Sequence, residues 1–315
     1  MDILQLILLY VTFILTAFTV IGNDVIQTLG TFISSNKRVS WPIQLLFIGG
    51  ILAIVVIYGW YINHGDATYG RLNQIPMPDR LSWWILIPPV VLLILTRYGI
   101  PVSTTFLVLS SFSSIIVINK VLLKSALGYS IAFVTSFLLF YFLASRLKAK
   151  NKNGTFWMVT QWITTGTLWI IWLIQDLANM FVYFPRQLEL VHLLILVGIL
   201  LVITAITLSR KGGKIQKVVD EKSKTHNLFN ATIIDAIYAI VLIFFTMINS
   251  VPMSTTWVFI GILAGREIGM QLNQNIVLNP NSKKLVLNDL RKVSIGLVIS
   301  LACAFVVQLL KNGQL

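Results

Sequence analysis

The sequence predicts an all-α polytopic membrane protein: two inverted-topology repeats with broken helices and re-entrant or hairpin PxSTT segments. Three observations point there. First, 57% of the 315 residues are hydrophobic and 11% are charged, with a mean hydropathy of +0.84; a soluble domain carries about 25% charged residues. Second, apolar runs of about 18 residues or more recur along the whole chain, as membrane-crossing helices require. Third, "PVSTT" at 101–105 returns as "PMSTT" at 252–256, so Pro101 and Pro252 lie 151 residues apart. Membrane β-strands alternate apolar and polar residues, and these continuously apolar segments exclude a β-barrel.

The elements follow in order. Residues 3–33 form a first segment interrupted by "GNDVIQTLG". Lacking a basic n-region and a small-residue cleavage site, its start reads as a membrane helix and not as a removable signal. A second segment covers 41–62, and a polar loop at 64–80 is broken by Pro76 and Pro78. Helices are then expected at 82–96, at 106–118 beyond the PVSTT turn, and at 126–147. The basic stretch "RLKAKNKNG" separates the halves. The second half opens near 156, is interrupted at "QDLANMFVYFPR", and continues with helices at 188–208, 228–248, 257–263 and 285–310. Cys303, the single cysteine, excludes an intrachain disulfide and reads as a small packing residue.

A net charge of +13 raises nucleic acid as a partner, but its distribution argues against one. Lys37 and Arg38, the 146–152 and 210–224 runs, and Lys283 with Lys284 all lie between apolar segments. That is the positive-inside pattern. With those loops inside, the N-terminus falls outside and the second half starts from the side where the first half did not. Residues 1–150 and 151–315 then form two oppositely inserted repeats of one integrated transmembrane domain in the cell (inner) membrane. Asp24, in "GNDVIQTLG", and Asp176, in "IQDLANMF", are 152 residues apart, almost the offset of the two STT elements. A weak similarity and a strong one share one register.

A carboxylate inside a membrane segment costs about 2.5–3.5 kcal/mol on insertion scales, so Asp24 and Asp176 ask for a function beyond capping a helix end. Asn23, Gln27, Thr28 and Thr31 cluster around Asp24, and Gln175 and Asn179 flank Asp176. Carboxylate, amide and backbone oxygens suit a hard cation such as Na⁺. Gly22 and Gly30 permit an unwound backbone there. Pro101 and Pro252 fit the first turn of a new helix, and the hydroxyls after them fit its cap. Seen once, this is a capped turn. Seen twice, two inward helix N-termini with their Ser and Thr hydroxyls make an anion pocket between repeats. Asp235 is a second-tier candidate. Arg97, Arg186, Arg266 and Glu267 read as interface anchors, and His64, His192 and His226 form no metal-ligand spacing. No Gly-rich phosphate loop, nucleophile elbow or zinc motif occurs, which argues against an enzyme and calls for no resident cofactor.

The pairing of "GNDVIQTLGT" with "GIPVSTT", and of "QDLAN" with "VPMSTT", resembles the inorganic phosphate transporter (PiT) family over nearly the whole chain. That family comprises phosphate permeases driven by Na⁺ or H⁺, some bacterial members moving sulfate. The resemblance implies that Ser103, Thr104, Thr105, Ser254, Thr255 and Thr256, with Asn23, Asp24 and Asp176, surround phosphate. It implies that Asn23, Asp24, Thr28, Gln175, Asp176 and Asn179 hold the coupling cation. The chain departs from the family pattern: Gln175 stands where the family has Asn, "VYFP" replaces a Gly-Pro, and Phe106 and Trp257 replace a His after each STT. These departures bear on substrate and coupling ion.

Charge arithmetic favours symport. HPO₄²⁻ beside two ionised Asp side chains puts about four negative charges in a low-dielectric site, which cations or protons must offset. Expected partners are therefore phosphate or sulfate, Na⁺ or H⁺, and the bilayer, with a homodimer left open. A transport-inactive sensor with the same fold is the alternative.

Overall fold

The computed structural model describes residues 3–77, 82–98, 100, 102–147, 154–212, 216, 219–220, 228–273 and 280–311, and among them there is no β-strand. Helix α1, Ile3–Val20, passes through a π-helical turn, Ile21–Val25, into α2, Ile26–Ser35. Helix α3 is Trp41–Ile62, with Pro42 in its first turn. A 3₁₀ turn, Trp83–Leu86, leads into α4, Ile87–Arg97. Then come the four-residue α5, Thr104–Leu107, a 3₁₀ turn, Leu109–Ser111, and the 33-residue α6, Ile115–Leu147. The rest comprises α7, Thr155–Phe181, α8, Leu190–Ser209, α9, Leu228–Ile248, α10, Thr255–Asn273, and α11, Pro280–Lys311.

Among the described residues, six stretches are long and apolar enough to cross a membrane: Ile3–Ser35, Trp41–Ile62, Ile115–Leu143, Leu190–Ser209, Leu228–Ile248 and Leu290–Lys311. The protein is a multi-pass membrane protein. Helix α7 has the length to cross, about 40 Å at 1.5 Å per residue, but Gln161, Thr165, Gln175, Asp176 and Asn179 lower its hydropathy, and all five are buried.

Several sequence expectations are corrected. "GNDVIQTLG" does not break its helix: one wide turn intervenes and helix resumes at Ile26. Likewise α7 runs uninterrupted through Gln175, Asp176 and Asn179 and stops at Phe181. Most of these polar side chains find partners on neighbouring elements, so the backbone need not unwind to serve them. Gly30 lies inside α2, where it admits Val219: an added Cβ would sit 2.6 Å from Val219 Cγ1. The helices expected at 106–118 and 126–147 are a short α5, a 3₁₀ turn and one continuous α6. The polar run around Lys120 and Lys124 stays helical because long Lys stems can lie along apolar surface while the ammonium reaches polar partners. Pro78, Arg80, Pro101, His226, most of the 148–153 and 213–224 basic runs, and the side chains of Lys283 and Lys284 lie outside the described residues.

Two basic loops gather at one end. Lys37 pairs with Asp220 at 3.2 Å, and Lys37, Arg38, Arg210 and Lys211 line a common cleft. At the opposite end the 63–77 loop meets the chain after α7. There Leu188 N donates to Gly65 O at 2.9 Å, and Arg186 Nη2 donates to Ile75 O at 2.7 Å.

Two helical hairpins lie between these ends. In the first, Trp84 packs on Phe112 with ring centroids 6.1 Å apart, so the ends of the 83–112 stretch adjoin. The Arg97 end of α4 shares a cavity with Arg210 and Gly212 of the basic end. In the second, Tyr238 of α9 stacks on Phe259 of α10 at 5.9 Å. Its turn, 249–254, reaches the opposite end, where Asn249 O accepts from Arg71 Nη1 at 2.7 Å. Helix α10 then runs parallel to α6. Gly261, Gly265 and Gly269, one per turn, press against the α6 backbone: an added Cβ on Gly261 would lie 2.6 Å from Tyr129 O. In a bilayer, where apolar contact alone drives little association, such small-residue seams let backbones approach and supply the packing.

Candidate functional site

The two repeated phrases of this chain meet in space. The π-helical turn carries Asn23 and Asp24, and the last two turns of α7 carry Gln175, Asp176 and Asn179. The first hairpin brings Ser103–Thr105 and the second brings Ser254–Thr256. All eleven side chains are buried, Asp24 at 2% and Asp176 at 1% exposure. π-Helical turns of this kind recur at functional sites because they shift the backbone ladder locally.

The carboxylates organise the hydroxyls. Thr104 Oγ1 donates to Asp24 Oδ2, and Thr256 Oγ1 donates to Asp24 Oδ1 at 3.2 Å. Asn23 Nδ2 bonds both Asp24 Oδ1 and the carbonyl of Val102, each at 2.8 Å. On the other side Thr255 Oγ1 donates to Asp176 Oδ2 at 2.6 Å, and Asn179 Nδ2 donates to Asp176 Oδ1 at 2.8 Å. Asn179 Nδ2 also reaches Thr104 Oγ1 at 3.0 Å and Thr105 Oγ1 at 3.4 Å. A single chain, Asp24–Thr104–Asn179–Asp176, therefore joins the two carboxylates. Thr104 serves Asp24 as Thr255 serves Asp176, at the 151-residue offset.

The remaining motif residues divide by task. Ser103 Oγ accepts from Phe106 N at 3.3 Å, and Ser254 Oγ accepts from Trp257 N at 3.2 Å. These serines are helix caps, again at equal offset. Thr105 Oγ1 donates to Met253 O at 3.2 Å, tying one hairpin to the other. Thr28 Oγ1 donates to the Asp24 carbonyl at 2.9 Å. The expectation of two equivalent helix dipoles is corrected: the second STT opens the 19-residue α10, but the first opens a helix of only four residues. A macrodipole needs several aligned peptides, so the first turn contributes hydroxyls and free N–H groups more than a helix field. Phe106 and Trp257 pack on each other, centroids 5.3 Å apart, and close this side of the cluster with apolar surface.

The cluster also holds orphan oxygens. Gln27 Oε1, Gln175 Oε1 and Asn179 Oδ1 are buried without a hydrogen-bond partner, as is Gln175 Nε2. A buried amide left unpaired costs about 1–3 kcal/mol. Amide and carboxylate oxygens are of the type a Na⁺ ion takes, and each of these three amides lies within three residues of Asp24 or Asp176 along the chain. Sequence reasoning placed Gln27 near Asp24 without giving it a ligand role.

No protein-family model matches this sequence, and no curated protein matches it. A solved structure described as "The sodium-dependent phosphate transporter" superposes with a TM-score of 0.61 at 16% identity, covering 98% of this chain and 100% of that one. The chain has the fold of that transporter. The likeness extends over nearly the whole of both chains.

Some residues at the site had no sequence signal. Trp172 Nε1 donates to Thr255 Oγ1 at 3.2 Å, and Tyr238 OH donates to Thr255 O at 2.8 Å. Both looked like ordinary apolar helix residues. Asp235 did announce itself, as a carboxylate in an apolar helix. It accepts from Thr31 and Thr165, both at 2.5 Å, and so stands apart from the bonded cluster around Asp24 and Asp176.

Proposed function

We propose that this protein is a secondary active symporter that carries inorganic phosphate with Na⁺. The observation that carries the reading is the joined cluster: two buried carboxylates, the hydroxyls of both hairpins and three unpartnered amide oxygens. The amide oxygens favour Na⁺ over H⁺ as the coupling ion, because they can ligate a metal ion but do not take up a proton at physiological pH. The anion expected at Thr104, Thr105, Thr255 and Thr256 lies within reach of the carboxylates these hydroxyls bond. Phosphate, as HPO₄²⁻, can donate its P–OH to a carboxylate; sulfate has no proton to donate and meets only repulsion.

The coupling follows from charge. Anion and carboxylates repel each other in a low-dielectric site, and Na⁺ relieves that repulsion, so each ligand binds well only beside the other. Residues 1–150 and 151–315 are read as inverted repeats, supported by hairpin turns directed to opposite ends and by matched offsets in caps and carboxylate bonds. The basic loops are assigned to the inside and the N-terminus to the outside, in the cell membrane. Transport then proceeds as the hairpins take turns in exposing the cluster.

In proteoliposomes, an inward Na⁺ gradient is expected to drive accumulation of radiolabelled phosphate, with little drive from a pH gradient alone. Accumulation of sulfate but not phosphate would transfer the site to sulfate. No uptake of either anion under any gradient would remove the symport reading and leave a sensor of the same fold.

A further inference from the structure

We propose that Arg71 and Lys124 form a second oxyanion site, at the outer mouth, which holds the turn of the second hairpin in the closed chain and a phosphate or sulfate when that turn withdraws. The proposal rests on the phosphate-transport reading for the identity of its anion and for the meaning of "outer".

Both side chains are buried, Arg71 at 4% and Lys124 at 7% exposure. Their partners are uncharged. Arg71 Nη1 donates to Asn249 O at 2.7 Å and Nη2 approaches Thr246 O at 3.4 Å. Lys124 Nζ donates to the same Asn249 O at 3.2 Å, to Asn249 Oδ1 at 2.9 Å and to Val251 O at 2.6 Å. Two cations thus converge on one carbonyl oxygen. Among the described residues, neither has a carboxylate within ion-pair distance.

That balance is incomplete. The carbonyls at a helix C-terminus carry about half a negative charge together, less than the Arg71 guanidinium alone brings. Buried charge without a matched partner is unfavourable, and a dianion would match this pair where carbonyls do not. The guanidinium also has an edge to offer. Arg71 Nε is buried without a partner, and Nη2 beside it makes only the 3.4 Å contact. Side-on, Nε and Nη2 present the two parallel donors that take two oxygens of a tetrahedral anion.

Access and direction agree with this. A cavity of about 210 Å³ is lined by Lys120, Lys124, Asn249 and Val251, and exposed Lys120 reaches Gln74 of the 63–77 loop at 3.3 Å. Cationic side chains therefore run from the surface inward. Burial holds the Arg71 guanidinium down to about 10. An anion that takes Arg71 and Lys124 frees Asn249 and Val251. The released turn leads directly into Ser254–Thr256, so occupying the outer site loosens the hairpin that covers the inner one.

The test uses the full chain purified in detergent free of phospholipid, carrying Asp24→Asn and kept in choline without Na⁺, so that the central site stays at its low affinity. Equilibrium binding of radiolabelled phosphate at low ionic strength is expected to find one anion per chain, displaced by sulfate. Lys124→Gln is expected to weaken it about tenfold or more, as is Arg71→Gln in the loop outside the spans, while Lys124→Arg retains it. The Arg71 variant keeps the test decisive where Lys124→Gln does not fold. No phosphate binding to the Asp24→Asn chain, or binding untouched by both Gln variants, would overturn the site. Saturation by phosphatidylglycerol without competition from inorganic phosphate would assign a lipid headgroup and overturn it equally. Any of these leaves Na⁺-driven uptake standing; conversely, binding here without uptake under any gradient refutes the transport reading and keeps this site.

Discussion

Asp24→Asn lowers Na⁺-driven phosphate uptake by about 100-fold or more, while the protein still folds and inserts. The estimate follows from losing charge-assisted contacts of about 1.5–3 kcal/mol each, where 1.36 kcal/mol is a factor of ten. The substituted amide keeps the shape of the Asp24 side chain and one acceptor oxygen, so the bond from Thr104 or from Thr256 survives. What disappears is the negative charge that draws the coupling ion. The check is initial-rate uptake against thermal unfolding of the same preparation. A large loss of uptake with an unfolding midpoint within a few degrees is expected. Uptake within a factor of about two of the parent protein would remove Asp24 from the site.

The second large effect separates residues inside one motif. Thr104→Val is expected to reduce uptake by about 10- to 100-fold, because it removes a donor from buried Asp24 and an acceptor from Asn179 together. This breaks the chain that links Asp24 to Asp176. Thr104→Ser keeps the hydroxyl and is expected to restore most of the rate. Ser103→Ala, one residue earlier, loses only a cap on Phe106 N, worth about 1 kcal/mol of stability. Its uptake is expected to fall much less than that of Thr104→Val. Equal losses in Ser103→Ala and Thr104→Val would mean that the STT turn acts as a unit, as its sequence first suggests.

Much of this candidate site was legible in the sequence alone. Buried carboxylates and doubled hydroxyl triplets are rare in hydrocarbon-like sequence, so Asp24, Asp176, Thr104 and Thr255 stood out, and the residues that share the offset meet as bonded pairs. The backbone response was less legible. Polar side chains in a helix look the same whether they unwind it or find partners across a packed interface. "GNDVIQTLG" and "QDLAN" both do the latter, with a π-helical turn in the first case and none in the second. The short α5 was hidden for a different reason. Apolar residues after a helix start give no sign of where the helix ends when tertiary packing, and not a Gly or Pro, ends it. Phe106 and Trp257 were visible as departures, but their packing on each other joins residues 151 apart and could be read only from the fold. Arg71 and Lys124 carried no such signal: Arg71 falls in the polar 64–80 loop, and Lys124 falls between the helices expected at 106–118 and 126–147. Only their shared grip on Asn249 makes them a pair.

In the proposed symporter, what matters most is joint occupancy of one connected cluster by phosphate and Na⁺. It is tested most directly by measuring phosphate affinity of the purified chain as Na⁺ replaces choline at constant ionic strength and pH. Affinity at the central site is expected to rise about tenfold or more with Na⁺, the range of ordinary coupling free energies, and Asp24→Asn is expected to abolish that rise. Phosphate affinity that is the same in Na⁺ and in choline would contradict it.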